Sequence, residues 1–364
     1  MKQSKHNIYY SPKEVRTILE RSIDTALDGL KCYCNDPVSD FTRCRKLPAR
    51  SLIECIMSFS NYSSIGELSH FFVGQGEMPS ASALSQRRQL LDPDIFKRIN
   101  NLFVSAFDDH TTINGYHILA QDGSDVNIPF MDDKTKTEKH DAKSFCQYHV
   151  NALYDCLNKV FYDWSIDAAS KKREVNALIS ILKDRNYPQN SIFTADRGYE
   201  SYNLMAHFIE NDIKFVIRVK DIHTKSGLMT NIKTEEGAFD IRVTRTLTSL
   251  QTKEIKADKE KYIFVPSTSS FDFLDETRDL YDLSFRAVRF KISEDVYETV
   301  VTNLSEEEFG TDNFKELYHY RWNEETAFNK LKYTIGLVYF HARKRKLIQQ
   351  EINAAFLMYN VSEV

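Results

Sequence analysis

The sequence predicts an α/β protein in which a helical region precedes a core of alternating strands and helices, and a β-rich segment interrupts that core. Apolar residues keep helical spacing up to about residue 110, and strand-like and helical segments alternate from residue 111 to residue 219. Short strand-like runs between charged turns follow from residue 220 to about residue 300. These changes divide the chain into four predicted regions, residues 1–110, 111–219, 220–300 and 301–364.

The first region is predicted to be an all-helical N-terminal domain. Its first helix begins at Ser11-Pro12, because serine is a good N-cap and proline suits the first turn. Further helices are predicted at Leu52–Phe59, Ile65–Phe72, Ser82–Leu91 and Ile95–Phe107. The three helices between Leu52 and Leu91 resemble a helix-turn-helix array, and the third carries Arg87 and Arg88 where DNA contacts would lie. An ordinary helical bundle explains the pattern at least as well.

The second region begins after Gly115, where β-branched and aromatic residues become frequent. Strands are predicted at Tyr116–Gln121, Tyr148–Tyr154 and Val160–Ile166, and we expect them to form an antiparallel meander. A helix, a strand, a helix and a strand follow at Arg173–Lys183, Ser191–Ala195, Ser201–Asn211 and Phe215–Val219. Three strands followed by helix, strand, helix and strand is the order of a ribonuclease H-like (retroviral integrase-like) core.

The third region is predicted to be a β-rich insertion, and the fourth is predicted to return to the core. Strand-like runs occur at Asp240–Thr246, Tyr262–Pro266, Leu283–Ile292 and Tyr297–Asn303. One long helix is predicted from near Asn313 to about Leu331, and a final helix at Leu347–Met358.

Composition excludes several classes of protein. Hydrophobic residues make up 42% and charged residues 27% of the 364 residues, which indicates a globular protein of two or three domains. No apolar run approaches the ~20 residues of a membrane span, and the start lacks the apolar core of a signal peptide. The six cysteines show no paired spacing typical of zinc sites or disulfide frameworks. We therefore expect a cytoplasmic protein with reduced thiols and no membrane partner.

Net charge alone does not indicate DNA binding, because 48 Lys and Arg against 52 Asp and Glu leave −4. The basic residues are nevertheless clustered, and clusters can bind phosphate. The clusters are Arg43, Arg45, Lys46 and Arg50; Arg87 and Arg88; Lys171, Lys172 and Arg173; and Arg343 to Lys346. Each cluster taken singly is better explained as solvated surface.

Two aspartates follow predicted strands of the core. Asp122 lies in Gln121-Asp122-Gly123-Ser124, where Asp-Gly could instead form a hairpin turn. Asp196 follows the strand Ser191–Ala195, where it could instead cap a helix or loop. If the sheet has the predicted order, both aspartates emerge at neighbouring strand ends. Asp125 lies three residues after Asp122, on the opposite face of an extended strand, and is expected outside such a site.

A polar stripe on the predicted long helix consists of Tyr318, Arg321, Glu325 and Lys332. At about 100° per residue its members fall inside an arc of roughly 60°, next to the apolar face of the helix. We expect this stripe to line a cleft and to bring Glu325 to Asp122 and Asp196. Three converging acids are costly unless cations neutralise them, and oxygen ligands of this kind suit a two-metal phosphoryl-transfer site.

Three segments resemble the signature blocks of DDE insertion-sequence transposases of the IS-four type. They are Gln121 to Ser124, Asp196 to Ser201, and the spaced residues Tyr318, Arg321, Glu325 and Lys332, with Trp322 and Thr302-Asn303-Leu304 also similar. The third block, with its fixed Tyr-Arg-Glu-Lys spacing, is the most specific. The resemblance covers about residues 115–360 and implies a ribonuclease H-like core interrupted by the β-rich insertion.

The resemblance also implies a function and a set of site residues. It implies a bacterial transposase, nucleoid-associated when bound to DNA, that cleaves DNA at transposon ends and transfers the strands into target DNA. Asp122, Asp196 and Glu325 would be catalytic and would bind Mg²⁺ or Mn²⁺, with two ions expected. The partners would be the terminal inverted repeats, target DNA and a second subunit in a homodimer assembled on DNA.

The remaining members of the polar stripe are expected to bind DNA rather than metal, since two of them are cationic. Arg321 can form two hydrogen bonds to a phosphate, Lys332 supplies a point charge, and Tyr318 supplies a hydroxyl. Trp322 and Arg197 are further expected DNA contacts, as are Arg87 and Arg88. A structural role for Arg321, in which it neutralises neighbouring acids, is the alternative.

Two features depart from the family pattern. The family's insertion can carry a tryptophan that stacks on a flipped base, but Trp164 and Trp322 both lie outside the predicted insertion, where Tyr262 could replace it. The chain also ends at Val364, soon after its last helix, which indicates a shortened copy. A ribonuclease H-like nuclease without strand transfer and an inactive DNA-binding remnant are therefore alternative functions.

Overall fold

The structure is a computed structural model. It describes residues 1–4, 10–43, 45–74, 76–107, 110–131, 136–137, 145–169, 173–222, 224, 226–266, 268–269, 271–294 and 296–364. Cys44 and the predicted basic pair Lys171 and Lys172 lie outside the described residues. None of the helices within these ranges combines the length and the apolar character needed to cross a membrane.

The described helices follow the predicted pattern closely in the first region. Their bounds are α1 Pro12–Asp28, α2 Ala49–Met57, α3 Ser64–Phe71, α4 Ala81–Leu90, α5 Asp94–Val104, α6 Glu174–Asp184, α7 Tyr202–Glu210, α8 Lys253–Ala257, α9 Asn313–His319, α10 Trp322–Tyr333 and α11 Arg345–Glu363. Helix α1 begins as predicted: the Ser11 hydroxyl accepts from the Glu14 amide, and the Glu14 carboxylate accepts from the Ser11 amide.

The described strands include all those predicted for the core. Their bounds are β1 Gln3–Ser4, β2 Thr112–Ile113, β3 His117–Ile128, β4 Lys136–Thr137, β5 Phe145–Asp155, β6 Val160–Ala168, β7 Ser191–Ala195, β8 Lys214–Val219, β9 Phe239–Thr248, β10 Tyr262–Phe264, β11 Leu280–Ser293 and β12 Val296–Thr302. The short strand β1 pairs with β2, so the region up to residue 110 is not entirely helical. The pairing of Ser4 with Thr112 includes a 2.8 Å hydroxyl–hydroxyl hydrogen bond.

The predicted single helix from Asn313 to Leu331 is wrong, because the structure has two helices there. Helix α9 ends at His319, α10 begins at Trp322, and the Arg321 amide donates to the Tyr318 carbonyl at 3.1 Å. This bond spans three residues rather than the four of an α-helix, and it makes a turn at Tyr320 and Arg321. The predicted polar stripe therefore does not lie on one continuous helix.

The chain divides into two compact units. Unit 1 comprises Met1–Lys5, Thr111–Asp122 and Arg173–Trp322, and unit 2 comprises His6–His110, Gly123–Lys172 and Asn323–Val364. The four-part domain division drawn from the sequence stays a prediction. Helices α1 to α5 lie in unit 2 together with α11, and the strands β9 to β12 lie in unit 1 with β7 and β8.

Unit 1 is built on a sheet with a parallel part and an antiparallel extension. Strand β3 pairs in parallel with β7, and β7 pairs in parallel with β8. Strand β12 then pairs antiparallel with β8, β11 with β12, and β9 with β11. The strands of residues 220–300 thus continue the hydrogen bonding of the core sheet at β8.

In unit 2, the second half of β3 neighbours β5, and β5 pairs antiparallel with β6. Strand β3 runs on to Ile128, so Asp122-Gly123 lies inside a strand and does not form a hairpin turn. Trp164 of β6 is fully buried, stacks on Phe356 of α11 at 4.4 Å and donates from its indole N–H to Asn353 Oδ1 at 2.7 Å. Trp164 therefore joins β6 to α11 within the core of unit 2.

A buried ionic network also stabilises unit 2. An Arg88 guanidinium nitrogen lies 2.7 Å from Glu351 Oε1, and the two side chains are 4% and 6% exposed. His341 lies between two carboxylates, with Nε2 at 3.0 Å from Glu67 Oε1 and Nδ1 at 3.5 Å from Glu351 Oε2. Both imidazole nitrogens face acceptors, which favours the doubly protonated, cationic ring.

The network predicts that unit 2 loses stability as pH rises. Burial lowers the pKa of His341, but Glu351 and Glu67 outweigh burial and raise the pKa above its ordinary 6.5. A raised pKa in the folded state means that the protonated ring contributes its full stabilisation below about pH 6.5, and the contribution is lost as pH rises through the folded value. The difference in urea midpoint between wild type and His341→Gln should therefore shrink between about pH 6 and about pH 9. A difference that stays constant over this interval would show that His341 is neutral in the folded protein.

Candidate active site

Asp122 and Asp196 lie at neighbouring strand positions in unit 1. The parallel register places Gln121 of β3 opposite Ala195 of β7, and each aspartate is the next residue on its strand. The residues that precede them on both strands are buried, whereas the two aspartates are partly exposed. The sheet thus brings two carboxylates together at the edge where parallel strands of α/β proteins present their ligand-binding residues.

Asp196 also caps a turn of 3-10 helix formed by Arg197–Tyr199. Its Oδ1 accepts from the Gly198 amide at 2.8 Å, so the capping role considered for this residue is present. Its other oxygen, Oδ2, accepts no hydrogen bond from the residues that the structure describes. Tyr199 is fully buried and anchors the turn, and Arg197 is exposed beside Asp196. The cap fixes the carboxylate and leaves one oxygen to bind another group.

Glu200, which follows this turn, was not singled out from the sequence. Its carboxylate accepts from the backbone amides of Lys220 and Leu228, both beyond the end of β8. Gly227 is in the left-handed region at φ 131°, and a Cβ there would lie 2.5 Å from Glu200 Oε1. Glu200 therefore fastens the chain that leaves the core sheet, a role that its place after the Asp196 segment does not reveal.

Arg321 lies next to Asp122. One guanidinium nitrogen, Nη1, is 3.7 Å from Asp122 Oδ2, and the Arg321 side chain is 5% exposed. The guanidinium carbon lies 5.2 Å from the centre of the Trp322 ring and 5.7 Å from that of Tyr318. Cation–π contacts of this kind hold the planar group in place, so the position of Arg321 relative to Asp122 is well determined.

Tyr318 is buried and Trp322 is exposed. The Tyr318 ring is covered by Arg321 and Arg218, and burial raises the pKa of its hydroxyl. Its burial removes Tyr318 from the surface that a phosphate could reach in this conformation. Trp322 is 47% exposed and borders an open cavity of about 480 Å³ in unit 1, which leaves much of its ring available for stacking.

Glu325 and Lys332 belong to unit 2. Glu325 lies on the first turn of α10 and is exposed, while Lys332 is half-buried on the last turn. The preceding residue, Glu324, is fully buried and shares the buried side of α10 with Phe328 and Leu331. Its spacing of four and seven residues before these apolar positions was a signal in the sequence that pointed to burial.

Arg87 and Arg88, both on α4, have different environments. Arg88 is buried, donates to the Leu347 carbonyl at 2.7 Å and pairs with Glu351, so it serves packing within unit 2. Arg87 is half-buried, donates from Nε to the Leu47 carbonyl and lies over the Phe41 ring at 4.1 Å. The hypothesis that α4 contacts DNA therefore depends on Arg87.

The chemistry of the Asp122 and Asp196 side chains fits a divalent cation, since carboxylate oxygens are the ligands that Mg²⁺ and Mn²⁺ prefer. Within the described part of the chain, no three His, Cys, Asp or Glu side chains form a cluster that could hold a metal ion. The pair would therefore need a further ligand, which the resemblance assigns to Glu325.

Comparison with known proteins identifies the family. A model of the transposase DDE domain matches residues 113–361, which is more than half of the chain. A cryo-electron microscopy structure of the piggyBac transposase synaptic complex with hairpin DNA is similar with a TM-score of 0.44 and 11% sequence identity, covering 98% of this chain and 76% of that chain. No curated protein sequence matches the chain at a significant level.

Enzymes with this domain act in DNA transposition as nucleases and transesterases, and they generally use divalent metal ions. The matched residues include β3, β7 and α10, the elements that carry Asp122, Asp196 and Glu325. The chain is therefore an enzyme of DNA transposition that belongs to the transposase DDE domain family.

Proposed function

We propose that Asp122, Asp196 and Glu325 are the catalytic acids with which this transposase cleaves DNA at transposon ends and joins those ends to target DNA. The register of β3 with β7 is the observation that carries the proposal, because it sets Asp122 and Asp196 side by side. Both carboxylates are partly exposed, and Glu325 is exposed on the first turn of α10. All three acids can therefore meet a ligand from solvent.

We propose that these acids hold two divalent ions, Mg²⁺ or Mn²⁺. Bound ions would activate the attacking oxygen and stabilise the leaving oxygen of the phosphodiester. The chain's own contribution is to hold carboxylates in fixed positions: the cap at Gly198 orients Asp196, and Arg321 lies 3.7 Å from Asp122. The positive charge of Arg321 also reduces the repulsion between two neighbouring carboxylates.

Amide replacement of any of the three acids should abolish cleavage. In Asp122→Asn, Asp196→Asn and Glu325→Gln, cleavage of transposon-end DNA with Mg²⁺ should fall by at least about a thousandfold, because several kcal/mol of transition-state stabilisation are lost. Divalent-ion binding measured by calorimetry should weaken in the same variants.

Asp212→Asn is a matched control, since Asp212 is a highly exposed aspartate of the same unit. It should cleave as the wild type does. Any of the three site variants that keeps wild-type cleavage while folding normally would have to be removed from the proposed catalytic set.

We further propose that Arg321, Lys332, Trp322 and Arg197 bind the DNA end. Arg197 is exposed beside Asp196, and Trp322 presents an exposed ring beside Arg321. Arg321 can fork two hydrogen bonds to a phosphate while its charge remains next to Asp122. Tyr318 supports this arrangement from beneath, because its ring packs against Arg321 and Arg218.

Arg321 should be needed for end joining more than for ion binding. With pre-nicked end DNA, Arg321→Ala should form fewer stable complexes and join strands about a hundredfold more slowly, because alignment of the reacting groups is lost. Arg321→Lys, which keeps the charge without the fork, should recover only part of the rate. Normal end complexes combined with lost ion binding in Arg321→Ala would instead make Arg321 a structural counter-ion of Asp122.

We propose that the N-terminal helices of unit 2 recognise the terminal inverted repeats, and that the protein assembles on DNA as a homodimer. Arg45, Lys46 and Arg87 line an open cavity of about 640 Å³ together with Gln86 and the N-cap of α4, Ser80. Three cations and a helix N-terminus at one surface suit the phosphate backbone of DNA. We assign residues 220–300 to the insertion of a ribonuclease H-like core.

The cations of this cavity should set the salt dependence of end binding. Replacing Arg45, Lys46 and Arg87 with Ala should weaken end binding and lower the slope of log Kobs against log salt by about 0.9 for each phosphate that the variant no longer neutralises. Arg16→Ala is the matched control, because Arg16 is a highly exposed arginine of the same unit. An unchanged slope in the triple variant would leave α4 as part of a helical bundle that does not bind DNA.

A further inference from the structure

A ladder of polar side-chain pairs joins β3 to β5 in unit 2. Gln147 donates to Asn127 Oδ1 at 2.8 Å, and His149 Nδ1 lies 2.8 Å from Asp125 Oδ1. A step of two residues forward on β3 matches a step of two back on β5, so the strands run antiparallel. Asp167 of β6 is the register partner of His149 on its other side. Asp125 is therefore built into the sheet and is not an incidental surface acid.

The protonation of the Asp125–His149 pair follows from its contacts. An ionised carboxylate can only accept, so the hydrogen bond requires a proton on Nδ1 of His149. The His149 side chain is 2% exposed, whereas the Asp125 side chain is 34% exposed. The buried imidazole therefore fixes one carboxylate oxygen while the carboxylate itself still reaches the surface.

Gly123 makes room for this histidine. A Cβ at position 123 would lie 2.3 Å from His149 Nε2 and 3.2 Å from Asn151 Oδ1. Contacts this short are forbidden, so the imidazole occupies the space that a side chain on Gly123 would need. The Asp-Gly sequence is thus explained by close packing of His149 against the backbone of β3.

Lys332 on α10 is affected by the charge of Asp125. Burial lowers the pKa of Lys332, and Asp125 acts in the opposite direction by stabilising the ammonium ion. Within the described residues, Asp125 is the charged group that acts on Lys332. A half-buried lysine without a nearby anion loses its proton more readily, and a neutral amine holds a phosphate poorly.

We propose that Asp125, oriented by His149, is a positioning residue that keeps Lys332 cationic for its contact with the DNA end. This inference rests on the proposed role of Lys332 in DNA binding. Asp125 would act through Lys332 and would touch neither the metal ions nor the reacting phosphate. In the structural alternative, the Asp125–His149 pair only fastens β3 to β5 and leaves Lys332 unaffected.

The direct test is the titration of Lys332 by NMR in protein labelled with carbon-13 at lysine Cε, with the Lys332 signal assigned by its loss in Lys332→Arg. Asp125→Asn removes the charge and keeps the shape, so the pKa of Lys332 should fall by about one unit. Asp125→Glu restores the charge and should recover most of the wild-type value. Gln147→Ala breaks the neighbouring polar pair of the same ladder without changing charge, and should leave the Lys332 titration unchanged.

The matching functional readout is the binding of pre-nicked end DNA as a function of pH. In Asp125→Asn, the loss of binding on the alkaline side should move to lower pH by about as much as the pKa of Lys332 moves. An unchanged Lys332 titration in a folded Asp125→Asn protein would overturn the inference. A shifted titration with an unshifted binding profile would support the coupling of Asp125 to Lys332 and overturn the DNA-binding role of Lys332.

Discussion

The parallel hydrogen bonding of β3 to β7 is the constraint on which the candidate active site depends. Residues His117 to Gln121 and Ser191 to Ala195 are buried, so a slip of one residue would exchange the two faces of a strand against a packed core. The register is therefore determined by the packing of the core and not by the acids. Asp122 and Asp196 gain their proximity from this packing, which stabilises an arrangement that their mutual repulsion opposes.

The charges next to these acids follow the same rule. Arg321 is almost fully buried, and a buried guanidinium is tolerated because Asp122 and two aromatic rings surround it. In unit 2, Arg88 meets the same requirement by pairing with Glu351. Neighbouring arginines on α4 therefore differ in role because one faces the core and the other faces an open cavity.

Much of this organisation could be predicted from the sequence, since helix caps and apolar periodicity act locally. The N-cap at Ser11 and strand β7 were predicted at the residues where the structure has them. The break between α9 and α10 could not be predicted, because the polar and apolar spacing continues through Tyr320 and Arg321 while the backbone turns. Pattern alone reports which side of a segment is apolar, and it does not report whether the axis is continuous.

The site residues show the same limit. The positions of Asp122 and Asp196 followed from strand ends, but the burial of Arg88 depends on α11, more than 250 residues further along the chain. The sequence also suggested two local readings of Asp-Gly, a turn or a catalytic strand end. The third reason for the glycine, the ring of His149, lies on another strand and has no local signal.

The packing of His149 against Gly123 has a consequence for how the protein can evolve. Position 123 accepts no side chain while the imidazole occupies the adjacent space, so a single substitution there would displace the ring from Asp125. A smaller residue at position 149 would free that space and remove the restriction. Positions 123 and 149 should therefore vary as a pair among descendants of this chain, with the histidine replaced before the glycine.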